Sequence, residues 1–413
     1  MPVRLDKVPP SAAAPAPPRA WLWLLLLPSL LGLGLGVTLW LGDDSMTQQP
    51  AKFWRMALGV PFLVWCVLGF LRALMYLGTL SVADGWDEAR DLDLIRKMRR
   101  GRRSLQVLGV SLKTALRSAE DLAGIAQLDA LCRDAQALTV QASWQGSAVR
   151  HSHLPRTADE SPEQLLLRVL PPVLAELASV LAQLPGDRPL ALLLEADSAL
   201  SPHELQRVWR HVWRESGIRQ PLTPVNGSGP EAVDQWLDQR ISDQALLLVV
   251  AFQIAPVQPE GTAEAAVGLL LGNRLTQATL EPRAYLYRPE RERKPTAKDL
   301  DRAACQALEW AKAEASSIQD VWLTGVDATR QGALGRLREA LSIPAKPGQG
   351  LHDLDATLGY PGRAAPWVAI AAAAEAIQGK KGKGQPQLIF SGESTAEAGL
   401  WSTVVMPVQP ASE

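Results

Sequence analysis

Two long apolar runs near the N-terminus constrain the fold of this chain more than any other feature of its sequence. The first run, residues 21–41, contains no charged residue. At a rise of about 1.5 Å per residue, a helix of this length crosses a hydrocarbon core of about 30 Å. The second run, residues 56–80, is interrupted only by Arg72, whose guanidinium can extend to the membrane interface. The two runs predict a hairpin of two transmembrane helices within residues 21–80.

The distribution of charge around the hairpin predicts its orientation. Residues 42–55 form a short polar loop of balanced charge, whereas the flanking segments carry an excess of Lys and Arg. Cytoplasmic flanks are enriched in these residues, so both termini and the main domain are predicted to be cytoplasmic at a bacterial inner membrane. Membrane lipids are predicted partners, because anionic headgroups attract the basic residues of the linker at 81–103: Arg96, Lys97, Arg99, Arg100, Arg102 and Arg103. The formal net charge of −1 gives no reason to expect a nucleic-acid partner.

A cleaved secretory signal is the alternative interpretation of the first run. The apolar core of such a signal has about 7–15 residues, and here the run is longer and a second run follows. The hairpin is therefore preferred. Gly32 and Gly36 are four residues apart and can seat a helix, either the second span or another copy of the chain. Residues 1–20 are rich in Pro and Ala and are predicted to form a disordered tail.

The rest of the chain has the pattern of an α/β body. Short apolar runs of strand length alternate with segments of helical periodicity, as in buried sheets whose faces are covered by helices. The predicted strands are residues 105–110, 190–195, 222–225, 245–254, 265–271, 284–287, 320–324, 387–391 and 401–407. The predicted helices are residues 118–132, 162–184, 201–216, 231–240, 296–316, 331–341 and 366–377, and residues 142–161 are predicted to form a loop.

Common sequence signatures of catalysis and metal binding are not found in a credible context. No dinucleotide-binding, phosphate-loop, zinc-protease or serine-hydrolase signature lies at the required junction of strand and helix. Cys66, Cys132 and Cys305 are far apart and indicate neither a disulfide framework nor a zinc site. His151 and His153 lie in a polar segment without further ligands at metal-binding spacing, which favours a solvated loop. No cofactor or metal is predicted.

Several segments resemble, in their order along the chain, the β-ketoacyl synthases and other thiolase-fold proteins. LDATLGYPGRAAPWVAIAAAAEAI, residues 354–377, resembles the late segment in which a Gly-His turn precedes an alanine-rich buried helix. RRSLQVLGVSLKTAL, ALLLVV, EGTAEAAVGLLL and DVWLTGV are similar to core strands and turns of the family, and QLIFSGESTAEAGLWSTVVM to its terminal strand pair. The resemblance implies a thiolase-like, layered α-β-α-β-α body over residues 104–408, in halves of about 104–287 and 296–408. It also implies a possible homodimer built on first-half strands.

The positions that carry catalysis in such enzymes differ in this chain. The family resemblance implies an active-site cysteine at the start of a buried helix, but residues 224–230 offer Asn226 and Ser228 instead. The Gly-His turn is Gly359-Tyr360 here, and a phenol with a pKa of about 10 cannot replace an imidazole near neutral pH. No histidine lies near Thr324, where a second one is implied. These degenerate active-site positions predict that the chain is not a condensing enzyme.

The anchor and the degenerate fold together lead to three hypotheses. The first is a non-enzymatic adaptor or assembly factor for an envelope complex, with a bacterial secretion system such as type VI as the proposed partner. The alternative is an acyl- or lipid-modifying enzyme at the cytoplasmic leaflet, which requires an apolar tunnel near Asn226, Thr324 and Tyr360. The third is a homodimeric structural protein.

Two further features leave alternatives open. The segment GKKGKG, residues 379–384, follows a predicted helix, so a solvated loop is favoured over a phosphate site. Among the fourteen tryptophans, several lie on helical patterns and are expected first in the core, with an exposed subset at a partner surface as the second interpretation: Trp209, Trp213, Trp236, Trp310 and Trp367.

Overall fold

The computed structural model describes residues 3–41, 49–118, 120–157, 159–379, 384–392 and 399–408. The chain divides into two compact units, one of residues 4–98 and one of residues 99–413 with residues 1–3.

Both predicted spans are helical in the first unit. Helix α1 is Ala20–Leu41, and helix α2 is Pro50–Gly101 with one π-helical turn at Arg55–Gly59. Each is long and apolar enough to cross a membrane. The loop prediction for residues 42–55 is wrong at its end, because α2 already begins at Pro50, a residue suited to the first turn of a helix. Residues 42–48 lie outside the described residues.

The two helices approach closely at a glycine that the sequence analysis did not select. A Cβ on Gly34 would overlap Pro61 and the carbonyl oxygen of Ala57, whereas a Cβ on Gly32 or Gly36 would meet no atom within 4 Å. The prediction that Gly32 and Gly36 seat the second span is therefore wrong. Helix rotation, which the spacing of glycines alone does not define, decides which glycine faces the neighbour.

The segment before α1 contacts α2. The backbone N–H of Ala12 donates to Oδ1 of Asp87 at 2.8 Å, Trp86 Nε1 donates to the Pro10 carbonyl at 3.2 Å, and Arg90 Nε donates to the Pro9 carbonyl at 2.9 Å. Prolines limit the conformations of this segment and leave its carbonyl groups free to accept. Disorder of residues 1–20 stays a prediction, and in the described part of this segment these hydrogen bonds join it to α2.

Beyond the end of α2, the described residues of the second unit form fourteen strands, eight α-helices and two short 3-10 helices. The strands are β1 (Ser104–Thr114), β2 (Thr139–Ala142), β3 (Ala148–His151), β4 (Leu190–Ser198), β5 (Leu222–Pro224), β6 (Leu246–Ile254), β7 (Ala265–Asn273), β8 (Ala284–Tyr287), β9 (Glu290–Arg291), β10 (Asp320–Thr324), β11 (Lys346–Pro347), β12 (Gly350–Asp353), β13 (Gln387–Ser391) and β14 (Trp401–Pro407). The helices are α3 (Ile125–Leu131), α4 (Pro162–Leu181), α5 (Pro202–Glu215), α6 (Gly229–Gln239), α7 (Ala297–Ala311), α8 (Ala328–Ala340), α9 (Leu354–Thr357) and α10 (Ala365–Gln378).

The strand order reveals an internal duplication. The first half has the order β5-β4-β6-β7-β1 and the second half β12-β10-β13-β14-β8, with the same parallel and antiparallel pairings. Strands β1 and β8 pair antiparallel, with Leu105 opposite Leu286, and join the halves into one continuous sheet. Because β8 takes the place in the second half that β1 takes in the first, the repeat begins at β8. The expected boundary after residue 287 therefore moves to before Ala284.

The layers follow from alternation along the strands. On β4, Ala191 and Leu193 point into a core shared with α6 and α10, while Leu190 and Leu192 point into a second core under α4 and α5. A third core lies between the second half of the sheet and α7 and α8. Helix α10 packs against strands of both halves. This arrangement is the expected α-β-α-β-α layering, in which the apolar helix α4 covers an outer face of the sheet with its buried side chains.

Three local predictions require correction. Of the helix expected at residues 118–132, only α3 forms in the described part, and Cys132 lies just after its end. The loop expected at residues 142–161 contains β3 and the end of β2, which form a hairpin whose largely exposed side chains give no apolar signal. His151 is buried in β3 instead of lying in a solvated loop, and its Nδ1 lies 3.1 Å from the Val149 carbonyl oxygen.

Candidate functional site

A cleft of about 500 Å³ lies at the N-terminus of α6. It is bordered by residues near the carboxyl ends of β4 and β13, where ligands commonly bind in sheets of this kind. Its lining includes Ser228 and Tyr360, two of the positions selected from the sequence. The charged side chains that line it are Glu195, Asp197, Glu231, Arg291 and Arg363.

Glu195 occupies the N-terminus of α6. The Ser228 side chain at the N-cap makes no capping hydrogen bond, and the backbone N–H of Gly229 donates instead to Oε1 of Glu195 at 2.6 Å. The indole Nε1 of Trp367 on α10 donates to the same oxygen at 2.9 Å. Burial raises the pKa of Glu195, although the two hydrogen bonds and Arg363 act in the opposite direction. A buried carboxyl group therefore takes the position in which a helix N-terminus could stabilise a bound anion.

The Gly359-Tyr360 turn forms another wall of the cleft. Gly359 has a φ of +97°, and a Cβ there would overlap the backbone of Thr262, so the turn requires glycine. The backbone N–H of Tyr360 donates to the Gly261 carbonyl at 2.9 Å, and Gln253 Nε2 donates to the Tyr360 carbonyl at 2.9 Å. The Tyr360 hydroxyl donates to the Gly392 carbonyl at 3.4 Å. The ring is thus held at the cleft by backbone and side-chain contacts.

Thr324 lies behind the cleft and supports one of its walls. Its hydroxyl donates to Oδ1 of Asp355 at 2.9 Å, and the backbone N–H of Gly325 donates to Oδ2 at 2.6 Å. Burial raises the pKa of Asp355 to about 6. The Thr324 carbonyl accepts from the N–H of Gly392, which lines the cleft. Thr324 therefore contributes through its backbone and does not itself line the cavity.

The five positions selected from the sequence are brought together only in part. Ser228 and Tyr360 line the cleft, and Gly359 allows the turn that precedes Tyr360. Thr324 does not line the cleft but accepts a hydrogen bond from Gly392, which does. Asn226 is exposed and is not among the lining residues. Glu195 was not predicted as part of the site, and Trp367 was predicted only as a core residue, which it is. A glutamate ending the apolar run LALLLE was the available signal for the first, since a buried strand seldom accommodates a carboxylate without a partner.

Cysteine and histidine are absent from the described lining of the cleft. Cys132 follows α3, Cys305 lies on α7, and Cys66 lies on α2. His352, which is buried, lies between Asp320 and Asp134, at 3.1 Å and 3.4 Å, on the second-half strand β12. Within the residues that the structure describes, the lining of this cleft thus includes neither a thiol nor an imidazole.

Three of the basic residues expected at the membrane surface form hydrogen bonds with protein groups. Arg100 donates two hydrogen bonds to Asp238, at 2.7 Å and 2.5 Å, and Arg102 donates to Glu309 at 2.5 Å. Arg103 Nη1 donates to the Leu237 carbonyl at 2.8 Å. Lipid-headgroup contact stays a prediction for all six basic residues, but these three already have partners on α6 and α7.

Behind α6 lies a buried ionic cluster. Arg288 is fully buried and donates to Asp234 and, at 2.6 Å, to Asp238. Although burial acts in the opposite direction, the hydrogen bonds from Arg100 and Arg288 hold the pKa of Asp238 well below its usual range. Burial raises the pKa of Asp234 despite the neighbouring Arg288. The cluster fixes α6 and thereby the wall of the cleft that α6 provides.

Comparison with known proteins identifies the fold. No protein-family model matches the sequence, and no curated protein matches it. The ketosynthase from module 6 of the bacillaene synthase of Bacillus subtilis 168 is similar in structure, with a TM-score of 0.51 and 12% identity over 74% of this chain and 72% of that one. The ishigamide ketosynthase/chain length factor matches with a TM-score of 0.50 and 15% identity, over 74% of this chain and 100% of the other. The PfaC keto synthase-chain length factor matches with a TM-score of 0.50 and 13% identity, over 76% of this chain and 43% of that one.

The second unit therefore has a thiolase-like fold of the ketosynthase type. The resemblance inferred from the sequence is confirmed at the level of the fold. At 12–15% identity, the likeness extends to the fold alone.

Proposed function

We propose that this protein is a non-enzymatic, membrane-anchored adaptor or assembly factor whose ketosynthase-like body serves as a docking module. The observation that carries the proposal is the hydrogen bond from Gly229 to Glu195 at the N-terminus of α6. A helix N-terminus activates a cysteine by stabilising the thiolate with its positive end. A carboxyl group already bound there neutralises that end when it is ionised, and it occupies the free N–H donor in either state.

The rest of the cleft supports the same conclusion. Glu195, Asp197 and Glu231 oppose a second anion at this position, and Arg291 and Arg363 only balance part of their charge. Ser228 has no imidazole nearby that could accept its proton within the described lining. A cleft with these groups lacks the means to generate a nucleophile near neutral pH.

The alternative function, an acyl- or lipid-modifying enzyme, is less well supported. It requires a deep apolar tunnel that opens near Asn226, Thr324 and Tyr360. The cleft at Tyr360 is lined by five charged side chains, and neither Asn226 nor Thr324 lines it. Charged walls disfavour the burial of an alkyl chain.

The anchoring and the partners form the remaining part of the proposal. Two helices suited to crossing a membrane support an anchor, and the excess of basic residues around them supports a cytoplasmic body at a bacterial inner membrane. A scaffold of this kind suits an envelope assembly, and a secretion system such as type VI is our hypothesis for the partner. Affinity capture in mild detergent, followed by identification of the co-purifying chains, tests this part.

A homodimer through the free edge of β5 is disfavoured by proline. Leu190 N–H donates to the Pro221 carbonyl, and Val225 N–H donates to the Leu192 carbonyl. The backbone N–H and C=O groups of residues 221, 223 and 225 therefore point toward β4. The backbone groups of residues 222 and 224 then point away from the sheet, and Pro224 has no N–H to donate to another strand. If the protein forms homodimers, we expect another surface to mediate them.

The proposed lack of chemistry is tested on the full chain in detergent. The protein is incubated with acyl-CoA or with acylated carrier protein, and the products are examined by intact and peptide mass spectrometry. We expect no covalent adduct on a residue of the cleft. An acylated side chain at Ser228 or Tyr360 would overturn the proposal.

A pair of variants tests the role of Glu195 directly. Ser228→Cys places a thiol at the start of α6, and its rate of alkylation is followed against pH with and without Glu195→Gln. We expect the thiol to react at lower pH in the double variant, because the helix end is no longer neutralised. Identical pH profiles would show that Glu195 does not control this site. Because the chain contains three other cysteines, the alkylated residue is identified by peptide mass spectrometry.

A further inference from the structure

An apolar groove of about 650 Å³ opens on the outer face of the first half of the sheet, between α4 and α5. Leu194 on β4 and Phe252 on β6 contribute to its floor, and Leu170 of α4 and Leu205 of α5 contribute to its walls. Leu194 is 38% exposed, although Leu190 and Leu192 on the same face of the strand are buried. The helical layer thus leaves the carboxyl end of β4 uncovered.

Tryptophan extends this groove along α5. Trp209 lines it, and the ring of Trp213 stacks on Trp209 with 5.7 Å between centroids. Both rings are only partly buried, whereas Trp236, Trp310 and Trp367 lie in the core. Partly exposed aromatic side chains beside an apolar groove are typical of protein-binding surfaces.

A basic stripe flanks the groove. His203, Arg207, Arg210 and Arg214 are spaced by three or four residues on α5, so they share one face of the helix, and all four are exposed. Arg207 is paired with Glu163 at 2.7 Å. In the described part of the chain, Arg210 and Arg214 have neither an ion pair nor a side-chain hydrogen bond. At about 1.5 Å per residue, the stripe extends for about 16 Å, or three helical turns.

We propose that the groove and the basic stripe bind an acidic segment of a partner protein, which inserts one or two bulky apolar side chains beside Leu194 and Trp209. Charge complementarity selects the acidic flanks of this segment, and the concave apolar floor selects its anchors. A lipid surface fits less well, because Val208 and Val212 on the apolar face of α5 are buried in the core and cannot enter a bilayer. The inference rests on the proposed docking function and names its partner chemistry.

The test uses the full chain in phosphatidylcholine nanodiscs and two dye-labelled helical peptides. One peptide carries leucines at spacings of three and four among glutamates, and its twin carries lysine at every glutamate position. Binding is measured by fluorescence anisotropy, and empty nanodiscs provide the correction for lipid binding. We expect the acidic peptide to bind saturably and at least tenfold more tightly than its twin.

Variants of the stripe and of the floor locate the binding site. The double variant Arg210→Glu with Arg214→Glu is expected to bind the acidic peptide at least tenfold more weakly than wild type does, and to bind the lysine twin more tightly. Leu194→Asp is expected to weaken the binding of both peptides. If circular dichroism shows that this variant misfolds, Leu194→Ala serves as a milder replacement. The matched control is Arg336→Glu, because Arg336 is an exposed arginine on α8, the corresponding helix of the second half. This variant is expected to bind both peptides as wild type does.

Several outcomes would overturn the proposal. These are failure of the acidic peptide to bind, equal binding of the two peptides, or equal binding by wild type and the stripe variant. Protection of α5 amides from hydrogen exchange only in phosphatidylglycerol nanodiscs would assign the stripe to lipid instead. If Leu194→Asp and the stripe variant still capture the same co-purifying chains as wild type, the groove is excluded and the docking function stands.

Discussion

Oε1 of Glu195 accepts the backbone N–H of Gly229 at 2.6 Å and the indole N–H of Trp367 at 2.9 Å. A strand of the first half, the start of α6 and the central helix α10 therefore meet at one carboxyl oxygen. The contact closes the end of α6 toward the cleft, and it makes Glu195 a structural residue whose replacement has measurable consequences.

Glu195→Ala is expected to lower the free energy of unfolding by about 1–3 kcal/mol, because it leaves the buried indole N–H of Trp367 and the partly buried N–H of Gly229 without their acceptor. Glu195→Gln is expected to lower the free energy of unfolding by less, since the amide oxygen of glutamine can still accept hydrogen bonds. Urea unfolding followed by tryptophan fluorescence measures both. Glu231→Gln, at an exposed position of the same cleft, is the control, and equal effects of all three changes would contradict the prediction.

Arg288→Met is expected to destabilise the body by about 3–5 kcal/mol, because it leaves the buried carboxylates of Asp234 and Asp238 without their shared partner. Combining it with Asp234→Asn is expected to recover part of the loss. Chemical unfolding of the three variants gives the comparison. Arg291→Met, at an exposed position, should change stability little, and a similarly small effect of Arg288→Met would refute the assignment.

Glu290 is expected to make stability depend on pH. Burial raises its pKa from an ordinary value of 4.5 to about 7, although Trp310 Nε1 donates to it at 2.6 Å. The folded state therefore binds the proton more tightly, so the contribution is present at low pH and is lost as pH rises from about 4.5 through 7. Glu290→Gln should remove this loss, making the variant relatively more stable at pH 8 by about 1–3 kcal/mol. Unfolding curves between pH 4 and 8, with surface Glu281→Gln as control, measure the difference.

Gly359→Ala is expected to destabilise more than Gly348→Ala. Both glycines have positive φ, +97° and +73°, so each substitution adds backbone strain of about 1 kcal/mol or more. Only at Gly359 would the new methyl group also overlap the Thr262 backbone, whereas at Gly348 it would meet no atom within 4 Å. Thermal unfolding of the two variants compares strain alone with strain plus overlap. Equal shifts in Tm would exclude the close approach.

Gly34→Leu is expected to disturb the helical hairpin, and Gly32→Leu is not. A side chain at Gly34 would overlap Pro61 and Ala57, at a typical cost of about 1–3 kcal/mol for overpacking. Trp65 is the reporter, because its Nε1 donates to the Trp23 carbonyl at 3.0 Å. The ¹⁹F spectrum of fluorotryptophan-labelled protein, assigned with Trp65→Phe, should shift for Gly34→Leu only. The same shift in both variants would contradict this packing.

Most of the helices and strands of the body could be predicted, and the reason is local. Capping signals such as Ser161 and Ser201, each followed by proline, mark the starts of α4 and α5, and both form capping boxes. Strands β6 and β7 and the first residues of β4 are apolar runs because they are covered on both faces. The hairpin of β2 and β3 was missed because its side chains are largely exposed and carry no such pattern.

The sequence by itself determined the two membrane-compatible helices and the alternation of helices and strands, because periodicity and hydropathy are local properties. The ketosynthase-like order of segments came from their resemblance to a known family. Only the tertiary structure decided that Glu195 caps α6, that Gly34 is the close contact, and that Arg100, Arg102 and Arg103 bind carboxylate and carbonyl groups. Each of these depends on partners distant in sequence, such as Gly229 for Glu195 and Asp238 for Arg100. Local patterns carry no information about which distant groups meet.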